Sequence, residues 1–512
     1  MNSTETAPPA PAPSPVSSPP TAWTVVVCGL VVTGIAVRLL TMPLAPDVED
    51  SVLFVRGVIR HSIAQMRPQW PGYPVYIWFG KLLTAATGDP ILGLHLLSAV
   101  ASALTAWPLA LVTRAWALSL GASQEAAGWC GWATAGLWLV TPMAWVTGAQ
   151  IVSDPLGLLC GAALLALCVA GERKGMGPWI AAALLGGLMI GVRLVNVTML
   201  GPLVVECWRR RRERWRGRPV ALVLLAAGVA GVLPWLVWLA VRDPGALLYG
   251  ARAHVGGHFK RWGESLWTDR HPFTRPFRAL RVLAVYGLGT GLSDRLGVVV
   301  SAAWLAILAM ATARRRWQSP VSRLVALWAL PHLLYVFVAH DIQYPRYALS
   351  AVALLSLVGG LAPLRFGRAG GAAVIVAVAA MATVSGPLAV RQRRQPPVEV
   401  RAARFLAGQS HAAVVVVEHP ALPFFVEGMD AGIGSVETTA EDVPRWEAAW
   451  AAEGREIFAT EPPPQDPGGW VPVAHFCRDP RINPYLGHDL WLFAPVSSAR
   501  ARAGPVTACD ED

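Results

Sequence analysis

The feature that most constrains this chain is a succession of apolar runs near the ~20 residues that carry a helix across a bilayer. Short arginine clusters separate them. They fall at 23–41, 91–112, 126–145, 154–170, 178–192, 195–207, 220–241, 298–313, 321–338, 347–361 and 372–390, about eleven expected spans. Composition agrees: 54% of the 512 residues are hydrophobic, 15% are charged and 23 are Trp, with a mean hydropathy of +0.45. Soluble domains carry about 25% charged residues. No segment alternates with the ten-residue pattern of a barrel, so helices are the spanning element. The expected fold is a polytopic α-helical membrane protein.

The net charge of +11 does not imply a nucleic-acid partner, because the arginines are distributed as the positive-inside rule requires. Arg114, Glu172-Arg173-Lys174, the run from Arg209 to Arg218, Arg314-Arg315-Arg316 and Arg365/Arg368 follow alternate spans. With that side cytoplasmic, the segments 42–90 and 242–295 and the C-terminal region are expected outside. Arg391, Arg393 and Arg394 run against this pattern. The protein is expected in the plasma (inner) membrane. Residues 1–22, rich in Pro, Ser and Thr, read as a disordered tail. It has no Lys or Arg up to Pro20, which argues against a cleaved secretory leader.

Beyond the 23–390 membrane unit, residues 395–512 have the composition of a small soluble α/β domain. Ala412–Val417, Glu456–Thr460 and Leu490–Ala494 read as strands, and Pro444–Gly454 as a helix. Five of the seven cysteines lie in or beside apolar runs. Cys477 and Cys509 share the polar C-terminal region, where a disulfide is open but not deducible from spacing.

Charged groups near hydrocarbon are expensive and tend to mark function. Asp47, Glu49 and Asp50 follow the first apolar run, and Phe54 comes four residues after Asp50. Asp154 precedes Pro155 at the start of the fourth span, which an N-cap with Pro at N1 would also explain. Arg193 stands between two short spans, where it could snorkel. Arg346 lies between Tyr344 and Tyr347, as an interfacial anchor would. His254, His258, Lys260 and Arg261 make a basic, aromatic-containing stretch. Two of its histidines are spaced i, i+4, a spacing that suits a metal or a solvated helix.

The order of these features resembles the GT-C class of membrane glycosyltransferases, which includes protein O-mannosyltransferases and aminoarabinose transferases. Asp50-Ser51-Val52-Leu53-Phe54 matches its acidic motif after the first span, with Phe in place of the commoner Tyr. Pro71-Gly72-Tyr73-Pro74-Val75-Tyr76, Ser153-Asp154, Gly191-Val192-Arg193 and Arg346-Tyr347 follow in the class's order. The resemblance implies a GT-C-like fold and transfer of a sugar from a polyprenyl-phosphate-linked donor to an acceptor hydroxyl on a glycan, lipid or protein. It implies Asp50, with Glu49 and Asp47 beside it, as general base. Asp154 and Tyr73 would orient the acceptor or first loop. Arg346, Arg193, Lys260, Arg261 and Tyr347 would hold the donor phosphate. The resemblance implies that no nucleotide sugar is needed and makes no cofactor certain; a divalent metal serves some branches of the class and not others, and the sequence leaves that open. A transporter or flippase of a lipid-linked or anionic substrate is the rival reading, but the charges sit at span ends and no broken helices recur in two halves.

Overall fold

A computed structural model describes residues 21–46, 49–262, 265–289, 299–300, 302–308, 319–342, 344–409, 411–417, 419, 421–429, 432–479, 489–498 and 506–507. The helices are α1 (Thr21–Thr41), α2 (Glu49–Ile59), α3 (Pro74–Thr87), α4 (Pro90–Leu104), α5 (Ala106–Ser119), α6 (Gln124–Val140), α7 (Pro142–Val146), α8 (Asp154–Lys174), α9 (Met176–Val192), α10 (Gly201–Arg209), α11 (Val220–Arg242), α12 (Pro244–Gly257), α13 (Arg275–Arg281), α14 (302–308), α15 (Pro320–Ala339), α16 (Leu349–Gly359), α17 (Pro363–Phe366), α18 (Arg368–Arg394), α19 (Val398–Ala407), α20 (Leu422–Glu427) and α21 (Val443–Ala452). Among the described residues six helices are long and apolar enough to cross a membrane. They start at Ala22, Pro90, Asp154, Val220, Pro320 and Ala369, and two shorter apolar helices cover Met176–Val192 and Pro345–Gly359. The expected tail at 1–22 lies outside the described residues up to position 20, and of the expected span at 298–313 residues 299–300 and 302–308 are described.

Local sequence explains the departures from straight spans. The expected span 91–112 lies within a 30-residue apolar stretch, Pro90–Ser119, that breaks at Thr105 between α4 and α5. Pro108 has no N–H to give the carbonyl four residues back. α9 and α11 approach through glycines: a Cβ on Gly187 would run into the carbonyl of Gly228, so only glycine permits this contact. Arg38 of α1 is fully buried, but its guanidinium donates to the carbonyls of Leu139 and Ala144 (both 3.1 Å) and to Ser102 Oγ (3.3 Å). A charge at this depth is tolerated because those acceptors compensate its desolvation, and it ties α1 to α4, α6 and α7.

The segment 42–90, expected as a polar loop, folds into α2 and α3. α2 has only 11 residues and opens on two acids, so neither its length nor its hydropathy announces a helix. Its faces divide between two cores. Phe54, Val55 and Val58 are buried with α3, α4 and α11, while Val52 is buried among Val398, Leu406, Val414 and Phe458. Ser51 Oγ donates to the Ile151 carbonyl (2.8 Å), anchoring α2 beside the start of α8.

The chain after α18 forms a six-stranded mixed sheet. Its strands are β3 (Ala412–Val416), β4 (Gly434–Glu437), β5 (Glu456–Ala459), β6 (Trp470–Phe476), β7 (Leu490–Pro495) and β8 (Val506–Thr507), in spatial order β4-β3-β5-β7-β6-β8. An earlier two-stranded ribbon, β1 (Arg214–Trp215) with β2 (Arg218–Pro219), turns within the arginine run. β3 is parallel to β4 and β5, while β7 runs antiparallel to β5 and β6. All five residues of β3 are buried, the continuous apolar run of a central parallel strand. Cys477 is disulfide-bonded; Cys509 lies outside the described residues.

Candidate active site

Four helix ends converge on one cavity of about 840 Å³. The first turn of α2 contributes Glu49 and Asp50. The first residue of α8 is Asp154, Arg193 follows α9, and the 3-10 turn Pro345–Ala348 before α16 carries Arg346 and Tyr347. All six side chains line the cavity, together with Tyr73. The three carboxylates in first helical turns lie where the helix dipole favours negative charge.

Acids and arginines meet as two pairs. Arg346 Nη1 stands 2.5 Å from Asp50 Oδ2, and Gln69 Nε2 donates to Asp50 Oδ1 (2.7 Å). Arg193 Nη1 pairs with Asp154 Oδ1. Tyr347 is near both guanidinium groups, whose centres are 5.2 Å (Arg193) and 5.1 Å (Arg346) from its ring. Both distances are within cation–π range, so one aromatic ring serves both cations. Burial works against the charge on Arg346, but Asp50, Tyr347 and Asp154 outweigh it and raise its pKa well above the usual value. Arg346 therefore stays a cation.

The spacing of the acidic motif has a helical reason. Asp50 and Phe54 are i and i+4 on α2, hence on one face. Phe54 packs edge-on against Tyr73 (4.9 Å) and Tyr76 (4.8 Å), and both Phe54 and Tyr73 line the cavity. Tyr73 caps α3 with φ 45°, a left-handed conformation uncommon for a bulky residue. Burial, above other causes, pushes its hydroxyl up and keeps it protonated.

Glu49 differs from its neighbour. Crowding by protein, then Asp50 and Glu437, push its carboxyl up to about 7. Its side chain is exposed at the rim, where water screens part of this rise.

Several wall residues carried no clear sequence signal. Gln69 is one polar residue between Pro68 and Pro71. His340 stacks on Tyr347 (4.4 Å), and both its ring nitrogens are buried without a hydrogen-bond partner among the described residues. Burial, then Arg193 and His258, lower its pKa and keep it neutral. His332, inside the apolar helix α15, accompanies the paired side chains in a recess lined also by Asp154, Arg193 and Arg346, and meets Thr198 Oγ1 at 2.8 Å. An ionisable residue within an apolar run was its available signal.

Of the remaining expected residues, one stands apart and the side chains of two lie outside the described residues. Lys260 is exposed and does not line the cavity, because the π-helical turn His258–Trp262 presents His258 and Phe259 to it instead. The side chain of Arg261, like Asp47, lies outside the described residues. A metal fits poorly on the donor set described. Asp50 and Asp154 are already paired with arginines, whereas a hard divalent cation takes several oxygen ligands. Among the described residues the one clustered group, His475, Cys477 and Asp489, has its thiol in a disulfide.

No protein-family profile and no curated relative matches the chain. Among solved structures, ArnT from Cupriavidus metallidurans in the apo state aligns with a TM-score of 0.59 at 14% identity, covering 95% of this chain and 100% of that one. ArnT of the same organism bound to undecaprenyl phosphate aligns at 0.57 and 13% identity, covering 94% and 99%. At such identities the likeness is one of fold, shared with ArnT over nearly the whole of both chains.

Proposed function

We propose that the protein is a membrane glycosyltransferase that moves a sugar from a polyprenyl-phosphate-linked donor to an acceptor hydroxyl on the extracytoplasmic face. The observation that carries this reading is the convergence of Asp50, Asp154, Arg193 and Arg346, distant in sequence, on one cavity at the ends of apolar helices. The fold shared with a protein that binds undecaprenyl phosphate supports the donor class.

The donor phosphate, carrying delocalised negative charge, competes with Asp50 for the Arg346 fork, a geometry guanidinium suits. Arg193, whose guanidinium also lies near the Tyr347 ring, adds a second cation. Once Arg346 turns to the phosphate, the Asp50 carboxylate is released to accept the acceptor's proton. The hydroxyl oxygen then forms a bond to the anomeric carbon as the bond from that carbon to the phosphate oxygen breaks. The electron pair leaves with the lipid phosphate, where Arg346 and Arg193 stabilise the growing charge. Gln69 keeps Asp50 oriented, and Asp154 keeps Arg193 in place. Glu49, at the rim, is the second candidate base.

The test is transfer by purified protein in vesicles, using a labelled polyprenyl-phosphate sugar and an envelope extract as acceptor. Wild type should release free polyprenyl phosphate with matching sugar incorporation, and Asp50→Asn and Arg346→Gln should not. Movement of intact donor across the bilayer without cleavage would instead favour a flippase.

A further inference from the structure

A second cavity, of about 190 Å³, lies where α18 gives way to α19 and beside the chain that leaves α1. It shares no lining residue with the first. Arg393, Arg394, Arg401, Arg404 and Arg478 line it, and Asp479 is the sole carboxylate among its described lining residues. That carboxylate is already held by Arg391 (3.0 Å). Arg478 pairs with Glu399, Arg401 donates to the Cys477 carbonyl and Arg393 to the Met42 carbonyl (3.2 Å). Arg394 and Arg404 are exposed, and no carboxylate pairs with either among the described residues. Arginines gathered around one space repel each other unless an anion sits between them.

The position says which anion. Two apolar helices, α1 and α18, end together here, with the contact from Arg393 to Met42 joining their last turns. Just inside that boundary, Leu40 is 73% and Val390 37% exposed, and Leu44 at the cavity mouth is 66% exposed. Apolar surface below and a guanidinium cluster at the boundary match a lipid: acyl chains along the helices, phosphate among the arginines. We propose that this cavity binds the phosphate of an anionic membrane lipid. The lipid bridges the last spanning helix, through Arg393 and Arg394, to α19, through Arg401 and Arg404, and to the chain just after β6, through Arg478. Since the same region packs Val52 of α2, the lipid also steadies the helix that carries Asp50.

The probe is phosphatidylglycerol, presented in phosphatidylcholine vesicles to the purified full chain and scored by native mass spectrometry as lipid retained. Wild type retains phosphatidylglycerol in preference to phosphatidylcholine. Arg394→Gln with Arg404→Gln, both at exposed positions and so tolerated by the fold, lowers that retention by about tenfold. Arg211→Gln with Arg216→Gln removes equal charge from another exposed basic segment and leaves it unchanged. The proposal is overturned if the first variant retains the lipid like wild type, or if the second loses as much. It is also overturned if millimolar inorganic phosphate displaces the lipid completely, which would make the site one for free anions.

Discussion

The two ends of helix α8 carry the same chemistry in opposite settings. At its start Asp154 and Arg193 form a pair with side chains 12% and 11% exposed. At its end Glu172 meets Arg209 at 3.4 Å, with side chains 22% and 60% exposed. The second pair sits on a basic flank that the positive-inside rule explains. The first lies in a cavity beside Asp50 and Arg346, where each charge is desolvated and stays because a partner compensates it. An ion pair at a membrane boundary is thus informative in proportion to its burial.

That contrast can be broken most sharply by chemistry. Asp50→Asn should lower sugar transfer by about 10²–10⁴-fold, the contribution of a positioned base. Arg346→Gln should lower it by roughly 10²–10³-fold, the scale for a donor that stabilises transition-state charge. Initial rates with labelled donor measure both. If Asp50→Asn keeps near wild-type rates while Glu49→Gln does not, the base is Glu49 and the cavity reading survives with its roles exchanged.

Stability should follow the same division. Arg193→Gln leaves Asp154 buried without its partner, a loss of about 3 kcal/mol or more, read as a lowered unfolding midpoint of the purified protein. Asp154→Asn together with Arg193→Gln should recover part of this, since two neutral amides can bond each other. No recovery would mean that Arg193 is held by Tyr347 rather than by its carboxylate.

A smaller effect concerns pH. The Glu49 carboxyl is raised from 4.5 toward about 7, so within that window the folded chain binds this proton more tightly than the unfolded chain. Stability then falls as pH rises through the window, because the native state holds the larger share of protons. Glu49→Gln should flatten that component of the unfolding midpoint against pH. An identical profile in the variant would show that water at the rim screens the group fully.

Sequence carried the four cavity charges because each lies at or just beyond the end of an apolar run, where hydropathy and charge change together. Asp50 and Phe54 were legible as a motif, although only the helix explains why the spacing is four. The wall was not legible. Gln69 and His340 reach the cavity through turns, and Lys260 fails to reach it because a π-helical turn shifts the face by a fraction of a residue step. α2 was hidden by its brevity, and its contact through Val52 with a core centred near Val414 joins parts of the chain that no local pattern relates.

The smallest expected effect falls on the exposed pair. Arg209 retains Glu206 at 3.0 Å when Glu172 is lost, and its largely solvated side chain gains little from either partner. Glu172→Gln should therefore change stability by no more than ~0.5 kcal/mol and leave transfer within about twofold of wild type, far from the loss expected of a base. Rising salt should erase even that difference, because screening reaches exposed charges first. The Asp154 pair, sheltered from ions, should keep its effect at the same salt. A Glu172 variant as damaged as an Arg193 variant would mean that burial does not separate the two ends of α8, and the cavity would lose its strongest physical claim to be the site of chemistry.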